Sequence, residues 1–144
     1  MQRREVVSHR HVKAPIEAVW HLVATAETYK DWGTMSVSFL EREGVPAPDG
    51  VGAIRRFGFR IYQSREEVVA FDAPHHLAYV LHSGLPVRDY RADVTLREAA
   101  DGGTDLEWRS SFTPPWPGSG WFWSAFLQQM VDGFTRGIAK AVQA

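Results

Sequence analysis

Two neighbouring strands of the predicted sheet can bring a basic and an acidic side chain together. Arg55 and Arg56 are adjacent in the segment AIRRFGFRIY, so only one of them points inward, and parity with Phe57 favours Arg55. Glu66 or Glu67 of the next strand could then pair with it. One interpretation of the arginine is an internal ion pair. The other is a ligand contact, in which the guanidinium holds a carboxylate or polarises a carbonyl group, because its planar fork matches such oxygens.

Acid–base chemistry would need a titratable group inside the protein. The candidates, besides Arg55, are Glu66, Tyr79 and Tyr90, but the chain contains no Ser-His-Asp arrangement, P-loop or dinucleotide-binding motif that would join them. We therefore assign no catalytic residue and expect no cofactor. His9 and His11 share a strand face at a spacing that suits zinc, but no third ligand is near in sequence, so we expect no metal site.

The composition excludes several classes of function. The chain has 144 residues, 44% of them hydrophobic, and a net charge of −1, which is typical of one globular domain over 1–144. There is no basic excess for nucleic acid, and no apolar run long enough for an integral membrane segment. Cysteine is absent, and the charged N-terminal segment lacks the apolar region of a signal peptide. We expect a cytoplasmic protein, either a monomer or a homodimer.

Aromatic side chains are concentrated where the chain turns, in the segment FTPPWPGSGWFWSAFL at 112–127. Trp116 lies in a proline-stiffened loop and Trp123 begins a helix, so both could wall or gate an apolar site. The loop at 84–89 should frame the same mouth. The alternative is an exposed patch for dimerisation or membrane contact.

Alternation along the strands and helical spacing at the C-terminus predict which side chains face an internal cavity. The predicted ligand-binding set is Trp32, Phe39, Phe57, Phe59, Phe71, Tyr79, Leu81, Tyr90, Trp108, Ser110, Phe112, Trp116, Trp123, Phe126, Leu127, Met130 and Phe134. The alternative for each of them is an ordinary core position.

The elements that must position these residues follow from periodicity. Two-residue alternation and turn signals predict strands at 4–12, 35–43, 53–62, 65–72, 77–83, 90–99 and 105–113. Helical spacing predicts short helices at 15–25 and 26–32 and a long C-terminal helix at 119–144. An antiparallel sheet of seven strands must curl around that helix to bury its apolar face, which gives an α+β fold.

Several segments resemble one superfamily. The opening VKAPIEAVWHLVATAETYKDW is similar to that of START/Bet v 1-like (SRPBCC) proteins, including the bacterial polyketide cyclase/dehydrase-like family. The later segments GVGAIRRFGF, REEVVAFDAPHHLAYVL, RDYRADVTL and GGTDLEWRSSFTP resemble its strands in the same order. The resemblance implies a helix-grip fold with an apolar cavity between the sheet and the C-terminal helix.

The resemblance specifies fold more than chemistry. It implies binding of a hydrophobic small molecule, either lipid-like or like an aromatic polyketide. Two alternatives remain: a polyketide cyclase or dehydratase that uses the same cavity, and an interaction module without a ligand. A large, water-filled cavity with an inward Arg55 near a tyrosine would favour the enzyme. A dry, apolar tunnel would favour the carrier, and a filled interior would favour the interaction module.

Overall fold

A computed structural model describes residues 2–143 of the chain. Seven strands form one antiparallel sheet: β1 (Arg4–Val12), β2 (Val37–Arg42), β3 (Ile54–Phe59), β4 (Tyr62–Asp72), β5 (His76–Ser83), β6 (Arg88–Glu98) and β7 (Thr104–Thr113). The helices are α1 (Ile16–Ala24), α2 (Tyr29–Trp32) and α3 (Gly120–Gln143), with a 3₁₀ turn (Ala26–Thr28) before α2. These bounds confirm the predicted order of elements.

The strand order across the sheet is β1-β7-β6-β5-β4-β3-β2. The first strand therefore pairs with the last, and strands β2 to β7 form a meander in which each strand pairs with the next one along the chain. The ladder is interrupted by register shifts in β2, β4 and β6. Such bulges bend strands and add to the right-handed twist of a sheet. The result is the curved, open sheet that the fold class requires.

The long helix α3 lies on the concave face but covers only part of it. It packs mainly against β1 and β7, with further contacts to α1 and α2. Hydrogen bonds fix this position: Ser8 Oγ and Thr135 Oγ1 are 2.9 Å apart, and Gln128 Nε2 donates to the Val7 carbonyl at 2.8 Å. Because the helix is held at this side of the sheet, space remains between its middle and strands β3, β4 and β5.

The buried core fills the region where α3 meets β1 and β7. Trp108 of β7 is fully buried beneath Phe134 of α3, with ring centroids 4.9 Å apart. Leu106, Phe112 and Leu127 are buried to a similar degree. This packed core is a firm wall on one side of the open space, and the space itself is the candidate site.

Candidate functional site

A cavity of about 420 Å³ lies between the concave face of the sheet and the middle of α3. This volume is within the about 300–1,000 Å³ that is usual for small-molecule sites. Most of its wall is apolar or aromatic. The lining residues are Tyr29, Thr34, Met35, Phe57, Gly58, Phe59, Tyr62, Ser64, Glu66, Tyr79, Leu81, Gly84, Leu85, Tyr90, Phe126, Gln129, Met130 and Phe134.

Strand alternation places most of these side chains. Phe57 and Phe59 of β3, Ser64 and Glu66 of β4, and Tyr79 and Leu81 of β5 are pairs two residues apart, so the members of each pair point to the same face. The antiparallel register sets Phe57 opposite Ser64. Residues from three adjacent strands therefore converge on one side of the cavity.

The helix supplies the opposite wall. Phe126, Met130 and Phe134 of α3 are spaced four residues apart and so lie along one face of the helix. Phe134 also contacts Trp32, with ring centroids 6.0 Å apart, so its ring is held from behind. The helix wall is thus a stripe of large apolar side chains.

The cavity opens to solvent at one end. Phe59, Tyr62 and Phe126 line it and are also exposed, at 54%, 61% and 44%. The loop that joins β5 to β6 closes part of this opening, with Gly84 and Leu85 in the wall. Gly84 has a φ of +118°, and a Cβ there would come within 2.5 Å of the Ser64 Cα, so only glycine lets the loop approach this closely.

Beside the cavity, Arg55 and Glu66 form a buried ion pair between β3 and β4. The Arg55 side chain is completely buried, and that of Glu66 is 8% exposed. Arg55 Nη2 donates to Glu66 Oε1 at 2.6 Å, and Arg55 Nε donates to the same oxygen at 3.1 Å. The strand register sets the two residues directly opposite each other. Of the two alternatives for Arg55, the structure therefore contains the internal ion pair.

Aromatic rings enclose the guanidinium of Arg55. Its central carbon lies 5.0 Å from the ring centroid of Tyr29, 4.9 Å from that of Phe57 and 4.8 Å from that of Tyr79. Nη1 donates to the Val23 carbonyl at 3.4 Å and to the Tyr29 hydroxyl at 3.3 Å. Arg55 is not among the lining residues. Its donors point to protein acceptors, so it supports the wall instead of presenting a cation to a ligand.

Among residues 2–143, Glu66 is the only one that contributes a carboxylate to the wall of this cavity. Both hydrogen bonds from Arg55 go to Oε1, and within residues 2–143 no group donates a hydrogen bond to Oε2. Burial raises the pKa of the Glu66 carboxyl, and the nearby Arg55 guanidinium opposes that shift. Glu66 Oε2 is therefore an acceptor without a protein donor, on a residue that lines a mostly apolar space.

The three buried tyrosines present neutral phenols around this carboxylate. Tyr90 and Ser110 share a hydrogen bond of 2.8 Å, and the Tyr79 hydroxyl accepts from Trp108 Nε1 at 3.3 Å. Tyr29 donates to the Val23 carbonyl at 2.7 Å. Burial raises the pKa of Tyr29 and of Tyr90 to about 12, and that of Tyr79 well above its usual range.

These raised pKa values predict alkaline unfolding. A phenol whose pKa is about 10 in the unfolded chain and about 12 in the folded one stabilises the fold fully below pH 10. That stabilisation is lost as the pH rises from about 10 to about 12, because the unfolded chain then releases protons more readily. We expect the buried tyrosines to ionise together with loss of circular dichroism. Full tyrosinate absorbance in a protein with native circular dichroism would contradict this.

Eight of the seventeen predicted ligand-binding residues lie around the cavity: Phe57, Phe59, Tyr79, Leu81, Tyr90, Phe126, Met130 and Phe134. Five others are buried in the packed core and do not line the cavity: Trp32, Trp108, Ser110, Phe112 and Leu127. These five therefore occupy ordinary core positions, which was the alternative given for each predicted residue. Close packing between the helices and the sheet keeps their side chains out of the cavity wall.

The remaining four predicted residues lie elsewhere. Phe39 is 39% exposed, because Ser38 takes the inward position and bonds to the backbone around α2. Phe71 packs edge-on against Trp20 of α1 and is not part of the cavity wall. Trp116 is exposed, and Trp123 packs between Phe122 and Phe126 outside the cavity wall. The segment 114–121 thus does not frame the cavity, whereas the loop at 84–89 does.

Sequence reasoning missed several lining residues. Ser64 shares the strand parity of Glu66, so alternation could have identified it. Tyr29, Met35 and Gln129 carry no comparable signal, since their positions depend on how α2 and α3 cross the sheet. Leu85 belongs to the loop that was expected at the mouth.

The histidine pair lies away from the cavity, on the outer face of β1. His11 bonds to Asp105 at 2.9 Å and to Asp101 at 2.8 Å, and these two hydrogen bonds raise the pKa of its imidazole. Within residues 2–143 no group of three or more potential ligands is arranged to hold a metal ion. His11 instead ties β1 to the hairpin between β6 and β7.

A family model described as polyketide cyclase / dehydrase and lipid transport matches residues 3–143. The chain therefore belongs to this family, as the sequence resemblance indicated. No curated protein is significantly similar to it in sequence.

Solved structures with the same fold come from several bacteria. A protein from Nitrosospira multiformis aligns with a TM-score of 0.79 and 16% identity, covering 96% of each chain. The protein XoxI from Bacillus cereus aligns with a TM-score of 0.79 and 16% identity, covering 96% of this chain and 95% of its own. A START superfamily protein from Mycobacterium smegmatis has a TM-score of 0.79 and 12% identity, with 96% and 97% covered. At such identities the likeness establishes the fold alone.

None of the helices within residues 2–143 combines the length and apolarity needed to cross a bilayer.

Proposed function

We propose that the chain binds a hydrophobic small molecule in the cavity between the sheet and α3. The observation that carries this proposal is the cavity itself: about 420 Å³, walled by aromatic and aliphatic side chains, and open at one end. A ligand-free interaction module would have no need of such a space, because core packing normally leaves few voids larger than a water molecule. The family description, which includes lipid transport, supports the same assignment.

The polar groups of the wall narrow the class of ligand. Within residues 2–143 Glu66 Oε2 accepts no hydrogen bond, and Arg55 does not line the cavity, so we expect a ligand to meet a carboxylate and not a guanidinium. A ligand carboxylate would be repelled at this wall, whereas a hydroxyl, phenol or amide N–H would donate to Oε2. We therefore propose a neutral, mostly apolar ligand, aromatic or aliphatic, with one hydrogen-bond donor at the end that reaches Glu66.

Three naphthalene derivatives of similar size test this proposal. We expect naphthol to bind at least about 10-fold more tightly than methoxynaphthalene, since a hydrogen bond to a charged group contributes about 1.5–3 kcal/mol. Naphthoate should bind more weakly than either compound. Isothermal titration calorimetry measures all three affinities. Equal affinity for the phenol and its ether, or tightest binding of naphthoate, would argue against Glu66 as the polar anchor.

The alternative is a polyketide cyclase or dehydratase that uses the same cavity. One observation favours it: burial raises the pKa of Glu66, which makes this carboxylate a better proton acceptor beside the phenols of Tyr79 and Tyr90. Incubation with a short aromatic poly-ketone, followed by mass spectrometry, distinguishes the two functions. A product that has lost water, formed by the native protein but not by Glu66→Gln, would favour the enzyme. An unchanged compound would favour the carrier.

A further inference from the structure

The large apolar side chains that are exposed within residues 2–143 are not scattered evenly. Seven of the eleven lie on the β3–β4 hairpin, part of which lines the cavity, and on the segment 116–126, and their exposures range from 44% to 94%. We call this set the mouth surface: Phe59, Ile61, Tyr62, Trp116, Trp121, Phe122 and Phe126. Clustering of this kind marks an interaction site, whereas single exposed apolar residues are ordinary.

Contacts between four chain segments hold the mouth surface together. Tyr62, at the end of the β3–β4 hairpin, donates to the Gly84 carbonyl in the β5–β6 loop. That loop is tied to the start of β1, because Arg3 Nη2 donates to the Asp89 carbonyl at 2.6 Å. Trp116 and Trp121 line a shallow pocket together with Arg3 and Arg4. The hairpin, the loop, the N-terminal segment and the start of α3 therefore form one continuous surface.

This surface is basic although the chain is not. The segments 2–4, 58–62, 84–89 and 114–126 contain four arginines and one acidic residue, Asp89, a net charge of +3 against −1 for the whole chain. The arginines are Arg3, Arg4, Arg60 and Arg88, and all four are exposed. Within residues 2–143 none of them forms an ion pair with a carboxylate, in contrast to Arg56, Arg65, Arg91 and Arg109.

We propose that the mouth surface docks the protein on an anionic lipid bilayer. Tryptophan and tyrosine side chains are favoured at the boundary between lipid tails and headgroups, and unpaired arginines are attracted to acidic phospholipids. A second copy of the chain fits less well, because a symmetric contact would bring the arginines of both copies together. Phe59, Tyr62 and Phe126 belong both to this surface and to the cavity wall. Given the proposed ligand-binding function, docking at this surface lets the ligand pass between the cavity and the bilayer without entering water.

Vesicle flotation tests docking apart from ligand binding. The native chain should float with phosphatidylcholine vesicles that contain phosphatidylglycerol, and less with phosphatidylcholine alone. Combined Ile61→Ser and Trp121→Ser should weaken binding by more than about 10-fold, because two exposed apolar side chains are removed. Combined Arg60→Gln and Arg88→Gln should weaken it by about 30-fold on anionic vesicles, equivalent to about 1 kcal/mol for each basic residue.

None of these four residues lines the cavity, so naphthol affinity serves as the check on folding. The matched control is Val45→Ser, which removes a side chain that is 79% exposed at the opposite end of β3 and should float like the native chain. Absence of flotation with either lipid mixture would overturn the proposal. So would a concentration-dependent dimer, seen by sedimentation velocity, that Ile61→Ser and Trp121→Ser abolish while flotation persists. Equal loss of flotation in Val45→Ser would also overturn it.

Discussion

Replacing Arg55 with leucine is expected to lower the free energy of unfolding by about 3–5 kcal/mol, as is typical when one partner of a buried ion pair is removed. Glu66 would remain in the wall with no cation to balance its charge. The three aromatic rings around the guanidinium would also lose their cation–π contacts. Urea denaturation followed by circular dichroism measures the change.

The double variant Arg55→Leu with Glu66→Leu is the informative control. It removes both charges, and the Val23 carbonyl keeps its hydrogen bond from Tyr29. We expect it to recover most of the stability lost in the single variant, because well-packed apolar residues can replace a buried ion pair at little cost. If the single and double variants are equally unstable, packing of the arginine side chain, and not charge balance, accounts for its role.

Filling the cavity should abolish ligand binding without unfolding the protein. Leu81 lines the cavity from β5 and is only partly buried, so Leu81→Trp places an indole into open space. We expect naphthol affinity to fall by more than about 10-fold, while the free energy of unfolding changes by less than about 2 kcal/mol, since the larger side chain can extend into the cavity. Calorimetry and urea denaturation measure the two quantities separately.

A second tryptophan substitution shows whether position matters. Phe39→Trp adds the same indole on β2, where the native side chain is 39% exposed and outside the cavity wall. It should bind naphthol like the native chain. Unchanged affinity in Leu81→Trp, or equal losses in both variants, would mean that the ligand binds elsewhere.

Periodicity in the sequence was sufficient to predict the fold. Residues 90–96 and 105–113 alternate between buried and more exposed positions, and the two strands pair as an antiparallel hairpin. The long C-terminal helix was predicted by the spacing of its apolar residues. Such signals are local, so they do not depend on how the elements are finally packed.

The cavity was predicted less well because it depends on where α3 lies across the sheet. Alternation correctly oriented Trp108 and Phe112 inward, but it does not reveal that the helix covers β7 and leaves β3 to β5 uncovered. The prediction that Phe39 lines the cavity was wrong for a different reason. Ser38 faces inward and hydrogen-bonds to backbone groups around α2, which a hydrophobicity pattern does not indicate. Strand alternation was sufficient to predict that Arg55 could pair with Glu66. The enclosure of Arg55 by aromatic rings could not be predicted, because it depends on where Tyr29 and Tyr79 lie in the folded chain.

The most direct test of a ligand-binding cavity is mass spectrometry of an organic extract of the natively purified protein, with Leu81→Trp purified in parallel. We predict a stoichiometric, mostly apolar compound with a hydroxyl, phenol or amide donor in the native extract, and its absence from the Leu81→Trp extract. The same compound in both extracts would place it outside the cavity. No compound in the native extract, together with no binding of naphthol, would contradict the proposed function.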